Sequence, residues 1–416
     1  MTAAPRRIGR RTFLHAGAGI VLSGAAGAAW APASGADRTR VYVLVVDGCR
    51  PDELRPELMP NLCALRDAGT HFPNARSLPV METIPNHCMM MTGVRPQRSG
   101  VPANSVYDRA ADVVRDLDQA TDLTFPTVLE RLRQAGRTTA TVLSKQYLYG
   151  IFGTRATYRW EPQPVLPVTG HAPDLATMDA LLAMVRDADP DLVFCNLGDI
   201  DRAGHADLTG TTLALTRTAA LVDTDLQLGR FVSMLKDTGR WESSVVIVLA
   251  DHSMDWSYPW ALVSLGPALD ADPLLTGRVR IAQNGGADLL YFTGSDAERP
   301  VAVTRMGAIV SAVPGVLSVH TPDELLLGRR AGDLVAYCRQ GWRFSDPQAY
   351  SNPIPGNHGH PATEPIPFIV SGGSPTVSRG ATSSLQVHTM DVAPTISTIF
   401  GLPAPTGGYD GHSVLA

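Results

Sequence analysis

Lysine is almost missing from this chain of 416 residues. Lys145 and Lys236 are the only two, and the other basic side chains are arginines. The formal charge is −5, and removing the four positive charges of Arg6, Arg7, Arg10 and Arg11 leaves −9 for everything after residue 36. A net-acidic body without a Lys/Arg cluster excludes a protein that grips nucleic acid polymers by backbone charge. Long apolar runs are missing too. Beyond the N-terminal segment no stretch reaches about 18 uninterrupted apolar residues, so no stable membrane span is expected. No two of Cys49, Cys63, Cys88, Cys195 and Cys338 form a C-x-x-C pair, which excludes a zinc ribbon or a thioredoxin-type motif. The odd number leaves at least one thiol free, and one disulfide is open to an exported chain. Cys195, within the apolar run Leu192-Val193-Phe194-Cys195, is expected to be buried packing. What is present, 44% hydrophobic and 18% charged residues, is globular composition rather than disorder. The length suits one large α/β domain with insertions.

Residues 1–36 have the design of an export signal. Gly9-Arg10-Arg11-Thr12-Phe13-Leu14 is a twin-arginine pattern, followed by a small-residue apolar run from Ala16 to Ala29. Ala29-Trp30-Ala31 and Ser34-Gly35-Ala36 offer A-x-A-like cleavage sites. The expectation is secretion through the twin-arginine pathway, which carries chains already folded, often with a metal or cofactor loaded.

Arg40 to Val46 is a continuous β-branched run that stops at Asp47-Gly48. Such a run predicts a strand buried on both faces. Leu192–Leu197 leads into Gly198-Asp199-Ile200-Asp201, and 245–250 runs into Asp251-His252. Thr138–Leu143 and a short candidate at Pro367–Val370 complete the strand set. Helices are expected at Pro60–Ala68, Phe125–Ala135, Thr212–Leu235 and Val392–Phe400. Strand–helix alternation predicts an α/β fold with a mainly parallel central sheet flanked by helices. Residues 37–253 and 356–416 are expected to form that core. Residues 254–355 are expected to be an inserted α+β cap, with strands at 279–282, 289–292 and 334–337 and a helix near 303–313.

In parallel sheets, ligands bind beyond the carboxyl ends of the strands. Asp47, Asp201 and Asp251-His252 each stand at or just after such an end. One acid there is an ordinary turn residue or helix cap; three that converge are not. Adding His205 of Asp201-x-x-x-His205 and His358 gives six Asp/His groups, the ligand mix of hydrolytic zinc sites. Six ligands and one hydroxyl suit a two-metal phosphoryl-transfer centre. Thr83, before Pro85, is placed at a helix start, where a hydroxyl meets the positive end of the helix dipole. On its own it reads equally as an N-cap.

The motif Thr83-Ile84-Pro85-Asn86-His87, with Thr92-Gly93 after it, resembles the nucleophile helix of the nucleotide pyrophosphatase/phosphodiesterase branch of the alkaline phosphatase superfamily. Val46-Asp47-Gly48, Asn104 with Tyr107-Asp108, Asp201-Arg202-Ala203-Gly204-His205, Ala250-Asp251-His252-Ser253-Met254, Asn357-His358-Gly359 and His388 to Thr395 follow in the family's order. The resemblance implies an alkaline-phosphatase-like core and two zinc ions, manganese or iron being open alternatives. One ion would be held by Asp201, His205 and His358, and the other by Asp47, Asp251 and His252 beside the Thr83 oxygen. It also implies a phosphothreonine intermediate, with non-bridging oxygens held by the Asn104 amide and the Ile84 N–H.

The expected partner is a small phosphoester. The frame Thr83-x-Pro85-x-His87 lacks the arginine of sulfatases, and Asn104 is milder than a monoester clamp, so diesters or pyrophosphates are favoured. Ile84 stands where nucleotide-cleaving relatives carry an aromatic, and Ser253 where they carry glycine. Tyr147, Tyr149 and Phe152 are alternative stacking platforms, with core or loop packing the simpler role. The stretch Phe125 to Lys145 also resembles phosphonoacetate hydrolase, a C–P bond hydrolase in which a lysine at the place of Lys145 binds the substrate carboxylate. The simpler expectation for Lys145 is a solvated surface position. A metal-stabilised binding protein without catalysis is the reading from another class.

Overall fold

The computed structural model describes residues 6–7, 38–167, 169–206, 215–346 and 354–415. The twin-arginine pair Arg10-Arg11 and both cleavage candidates lie outside them. The strands that matter are β1 (Arg40–Val46), β2 (Thr139–Leu143), β3 (Tyr158–Trp160), β4 (Leu192–Leu197), β5 (Ser244–Leu249), β6 (Val279–Asn284), β7 (Ala287–Phe292), β8 (Val316–His320), β9 (Leu334–Cys338) and β10 (Phe368–Ser371). The helices are α1 (Pro60–Ala68), α2 (Thr83–Thr92), α3 (Val128–Gln134), α4 (Gln146–Phe152), α5 (Asp174–Asp187), α6 (Asp199–Ala206), α7 (Leu215–Asp237), α8 (Arg299–Ser311) and α9 (Val392–Phe400).

The main sheet runs in the order β3-β2-β4-β1-β5-β10 and is extended by Thr70–His71 and Ala381–Thr382. At the other edge, Arg6–Arg7 pairs in parallel with Tyr158 and Arg159. The strands from β3 to β5 are parallel, while β10 joins β5 antiparallel through Phe368↔Leu249 to Ser371↔Val246. All seven residues of β1 are buried, as are all six of β4 and of β5, so helices cover both faces. All five cysteines are buried and free, so no disulfide forms.

The helix at 125–135 is shorter than its apolar pattern. Thr127 accepts the Glu130 N–H with its side chain and Glu130 bonds back to the Thr127 N–H, so this capping box starts α3 at Val128. The helix expected over 212–235 is described from Leu215 to Asp237. Between β5 and β10 lies an antiparallel sheet, β6-β7-β9-β8, backed by α8 and packed around Leu290, Phe292, Met306 and Ala336. Strand β8 escaped the sequence reading because Ser318 and His320 break its apolar run. Asp255–Trp256 pairs with Gly356–Asn357, so both ends of this insertion meet beside the core.

Candidate active site

The strand order fixes the order of the charges. At the carboxyl ends of neighbouring strands β2, β4, β1 and β5 stand Lys145, Asp201, Asp47 and Asp251. The turn after β1 is tight: Gly48 has φ +72°, and a Cβ there would sit 3.1 Å from Asp201 Cα and Cβ. Gly48 also donates its N–H to Asp251 Oδ1 at 3.1 Å.

Lys145 corrects the surface expectation. It is wholly buried, with Nζ 2.8 Å from Asp47 Oδ2 and 2.7 Å from Asp201 Oδ2. Gly198 leaves the room it needs, since a Cβ there would lie 3.4 Å from Lys145 Cε and 2.6 Å from Ser144 Oγ. Burial works against the lysine's charge, but Asp201 and Asp47 outweigh it and hold the ammonium well above its ordinary range. Burial also opposes the charge on Asp201, yet Lys145 and His205 bring that carboxyl well below the usual range. Asp47 and Asp251 are raised, first by burial, with Asp251 raising Asp47 further by like charge.

Three imidazoles aim at this cluster, all by the same nitrogen. His205 Nδ1 donates to Gly356 O at 2.8 Å, His252 Nδ1 to Ser253 O at 2.9 Å and His358 Nδ1 to Met81 O at 3.2 Å. Each Nε2 is thereby left as an acceptor, the second-sphere arrangement of metal-binding histidines. Burial keeps His252 neutral, lowering its pKa to about 4, and His358 lies well below its ordinary value for the same reason. His205 Nε2 and His358 Nε2 are 3.1 Å apart, two acceptors that need a cation between them. Asp47 Oδ1, Asp201 Oδ1 and Asp251 Oδ2 are buried without a hydrogen-bond partner. Leaving them so is costly unless a cation meets them.

The donor atoms fall into groups within 4.8 Å: Asp201, His205 and His358; Asp47, Asp201 and His252; and Asp47, His87 and Asp251. His252 Nε2 is also 3.3 Å from Asp251 Oδ2. His87 takes a supporting place: Nδ1 donates to Thr83 O at 2.8 Å, and Nε2 accepts from Asn196 Nδ2 at 3.0 Å. Asn196 also donates to Asp47 Oδ2 at 2.7 Å and accepts from Ser144 Oγ at 2.6 Å. Asn196 was missed, and His87 stood in its motif without a role, because an amide inside the apolar strand β4 and a histidine inside a helix carry no spacing signal of a contact between them.

Thr83 is the first residue of α2, with Glu82 at the N-cap. Its Oγ1 lies 3.2 Å from His252 Nε2. Asn104 Oδ1 accepts the Ile84 N–H at 2.8 Å. That N–H is therefore engaged by the protein, a correction to its expected role toward phosphate. Ile84 is 1% exposed and packs in the core, so its side chain is no open platform for a base. Ser253 does not take a positive φ, which explains why glycine is dispensable there.

A cleft of about 280 Å³ opens onto Thr83, Asp201, His205 and His358. Asn104 and Tyr147 line it from the core, and Gln283, Asn284 and Gly285 from the β6–β7 hairpin. Asn284 clamps that hairpin to the core, accepting the Ser105 N–H at 2.8 Å and donating to Ser105 O at 3.0 Å. Of the other platform candidates, Phe152 is core and the Tyr149 hydroxyl donates to Glu161.

A family model for type I phosphodiesterase / nucleotide pyrophosphatase matches residues 41–361. The chain belongs to this family. It is therefore a hydrolase acting on phosphoric ester bonds, and its fold is the alkaline-phosphatase-like α/β fold. Cattle (Bos taurus) bis(5'-adenosyl)-triphosphatase ENPP4 is 22% identical over 404 residues, covering 91% of this chain and 82% of the relative. Venom phosphodiesterase of Macrovipera lebetinus is 26% identical over 240 residues, 53% of this chain and 26% of the relative. Among solved structures, murine ectonucleotide pyrophosphatase/phosphodiesterase 5 superposes with a TM-score of 0.71 at 19% identity, over 88% of this chain and 96% of its own. An inactive threonine-to-alanine form of that protein, in complex with AMP, gives a TM-score of 0.72 at 18% identity. Among the described residues, no helix is long and apolar enough to cross a membrane.

Proposed function

We propose that this member of the family is an exported two-metal phosphodiesterase or nucleotide pyrophosphatase that works through a covalent bond to Thr83. The observation that carries the reading is the Thr83 hydroxyl, at a helix start, 3.2 Å from His252 Nε2 and beside three buried, unpartnered carboxylate oxygens. Two zinc ions, one at Asp201, His205 and His358 and one at Asp47, Asp251 and His252, would favour the ionised hydroxyl and offset charge on the phosphoryl oxygens. Manganese or iron suits the same donors.

Thr83 Oγ1 attacks phosphorus in line, and the bond to the leaving oxygen breaks as the Thr–O–P bond forms. The α2 N-terminus favours the negative phosphoryl group beside it. Asn104 Oδ1 is held by Ile84, so Nδ2 is the end that donates to a non-bridging oxygen. Water then cleaves the Thr83–phosphorus bond and restores the hydroxyl. Lys145 holds Asp47 and Asp201 by their Oδ2 atoms and leaves both Oδ1 atoms free for metal.

The C–P hydrolase alternative requires Lys145 to meet a substrate carboxylate. Its burial between two aspartates denies it that contact. The relative named as a bis(5'-adenosyl)-triphosphatase and the neighbour solved with AMP support nucleotide esters or pyrophosphates as substrates. The test is release of p-nitrophenol by the zinc-loaded chain. Bis-p-nitrophenyl phosphate and thymidine 5'-monophosphate p-nitrophenyl ester should be cleaved in preference to p-nitrophenyl phosphate, and Thr83→Ala should cleave none. Phosphate release from phosphonoacetate alone would overturn the reading, and so would full activity in Thr83→Ala.

A further inference from the structure

We infer that Arg202 reads the leaving side of the substrate by binding a second anionic group, the phosphate one bridge beyond the phosphorus that reacts. The inference rests on the phosphodiesterase reading and narrows it from diesters in general to pyrophosphates.

Arg202 follows Asp201 on α6, and it is the one lysine or arginine among the described residues that line the cleft. The polar wall around it otherwise holds amides and acids, such as Asn104, Gln283, Asn357 and Asp116, with the hydroxyls of Thr83 and Tyr147 and the imidazoles of His205 and His358. Lys145 cannot serve a ligand, since both aspartates claim it below the cleft floor. Arg202 is under-used by the protein. Nη2 donates to the Tyr147 hydroxyl at 3.2 Å, Nε is buried without a hydrogen bond, and the nearest carboxylate oxygen, Asp201 Oδ2, is 3.9 Å away. Most of the five N–H donors of a guanidinium are thus unspent. The side chain is only 22% exposed and lies over Tyr147, with 5.7 Å between guanidinium and ring centre. A stacked, largely desolvated guanidinium lining the cleft is already held for bidentate contact with a phosphate.

Its location decides which phosphate. Thr83 stands beside His252, and in the proposed reaction the leaving oxygen is assigned to the other metal position, at Asp201, His205 and His358. Arg202 stands next to that group. An anion bonded to the leaving oxygen comes within its reach, whereas a neutral leaving group gives it nothing to hold.

The experiment compares wild type, Arg202→Gln and Arg202→Lys, all zinc-loaded, on ATP and on thymidine 5'-monophosphate p-nitrophenyl ester, whose leaving group carries no second anion. Arg202→Gln is expected to lose about tenfold or more in kcat/KM on ATP and less than about threefold on the ester. Arg202→Lys should fall between on ATP, because it keeps charge but not the fork. In a Thr83→Ala background, Arg202→Gln should weaken ADP binding by calorimetry and leave AMP binding unchanged. Equal losses on both substrates, or an unchanged ATP rate, would overturn the inference while leaving ester cleavage to stand. Arg202-dependent phosphate release from phosphonoacetate without ATP cleavage would reassign the second anion to a carboxylate and overturn the pyrophosphate assignment. A wild type silent on ATP and ester alike would remove the phosphodiesterase reading and this inference together.

Discussion

Lys145 is the residue on which the inner half of the site turns. A lysine with no exposed surface persists only when carboxylates surround it, and here one aspartate from each proposed metal position does so. Lys145→Met should leave Asp47 and Asp201 unpinned, lowering metal content by elemental analysis and kcat/KM by about 10–100-fold, the usual cost of losing a metal ligand's support. Retention of full metal content would show the lysine to be mere packing. Thr83 makes a different kind of prediction. Thr83→Ala should lose about 10³-fold or more in turnover and still bind metal, because in the proposed reaction its hydroxyl is the attacking atom while the Asp/His groups around it are untouched.

At the scale of elements, the helix and strand ends do the positioning, and they were legible to different degrees. The buried runs of β1, β4 and β5 announced themselves by unbroken β-branched residues, and the Asp groups at their ends followed from the turn after each run. The seven side chains Asp47, Thr83, Asp201, His205, Asp251, His252 and His358 do lie in one cluster. Lys145 was misjudged because a single sequence shows which strand a residue ends, not which strands flank it; the β2-β4-β1 order is what brings it between two acids. Strand β8 was lost to half-exposed positions, and the expected helix over 125–135 was found but starts later, at Val128, where a capping box sets it. The amino ends of β1 and β4 are tied by Arg38 and Arg40 to Asp189 and Asp191. Burial opposes charge on Asp189, but hydrogen bonds from Arg40 outweigh it and hold the carboxyl below its ordinary value, and Arg38 does the same for Asp191. A lowered folded-state pKa gives stability that is full above the unfolded value and lost as pH falls through the folded one. Asp189→Asn should therefore cost about 1–2 kcal/mol near neutrality. Its difference from wild type in thermal melting should shrink below about pH 4. A difference that stays constant into acid would contradict the ion-pair account.

At the scale of the whole molecule, the core supplies the chemistry and the insertion between β5 and β10 supplies one wall of the cleft through Gln283 and Asn284. Three unpaired buried carboxylate oxygens at the proposed metal positions predict a fold whose stability depends on bound cations. Chelation should lower the melting temperature and zinc should restore it, with about 2.7 kcal/mol of stabilisation when free zinc is 100 times Kd. An unchanged melting curve would argue that no metal is held there. Export is proposed to depend on the arginine pair, so Arg10→Lys with Arg11→Lys should keep the chain inside the producing cell; secretion undiminished by that change would refute the twin-arginine route. The central claim is a two-step reaction through Thr83, and the stereochemistry at phosphorus tests it most directly. Hydrolysis of a P-chiral phosphorothioate diester in isotopically labelled water should proceed with retention, because two in-line displacements each invert the centre. Inversion would mean that water attacks in a single step and that Thr83 never bonds to phosphorus.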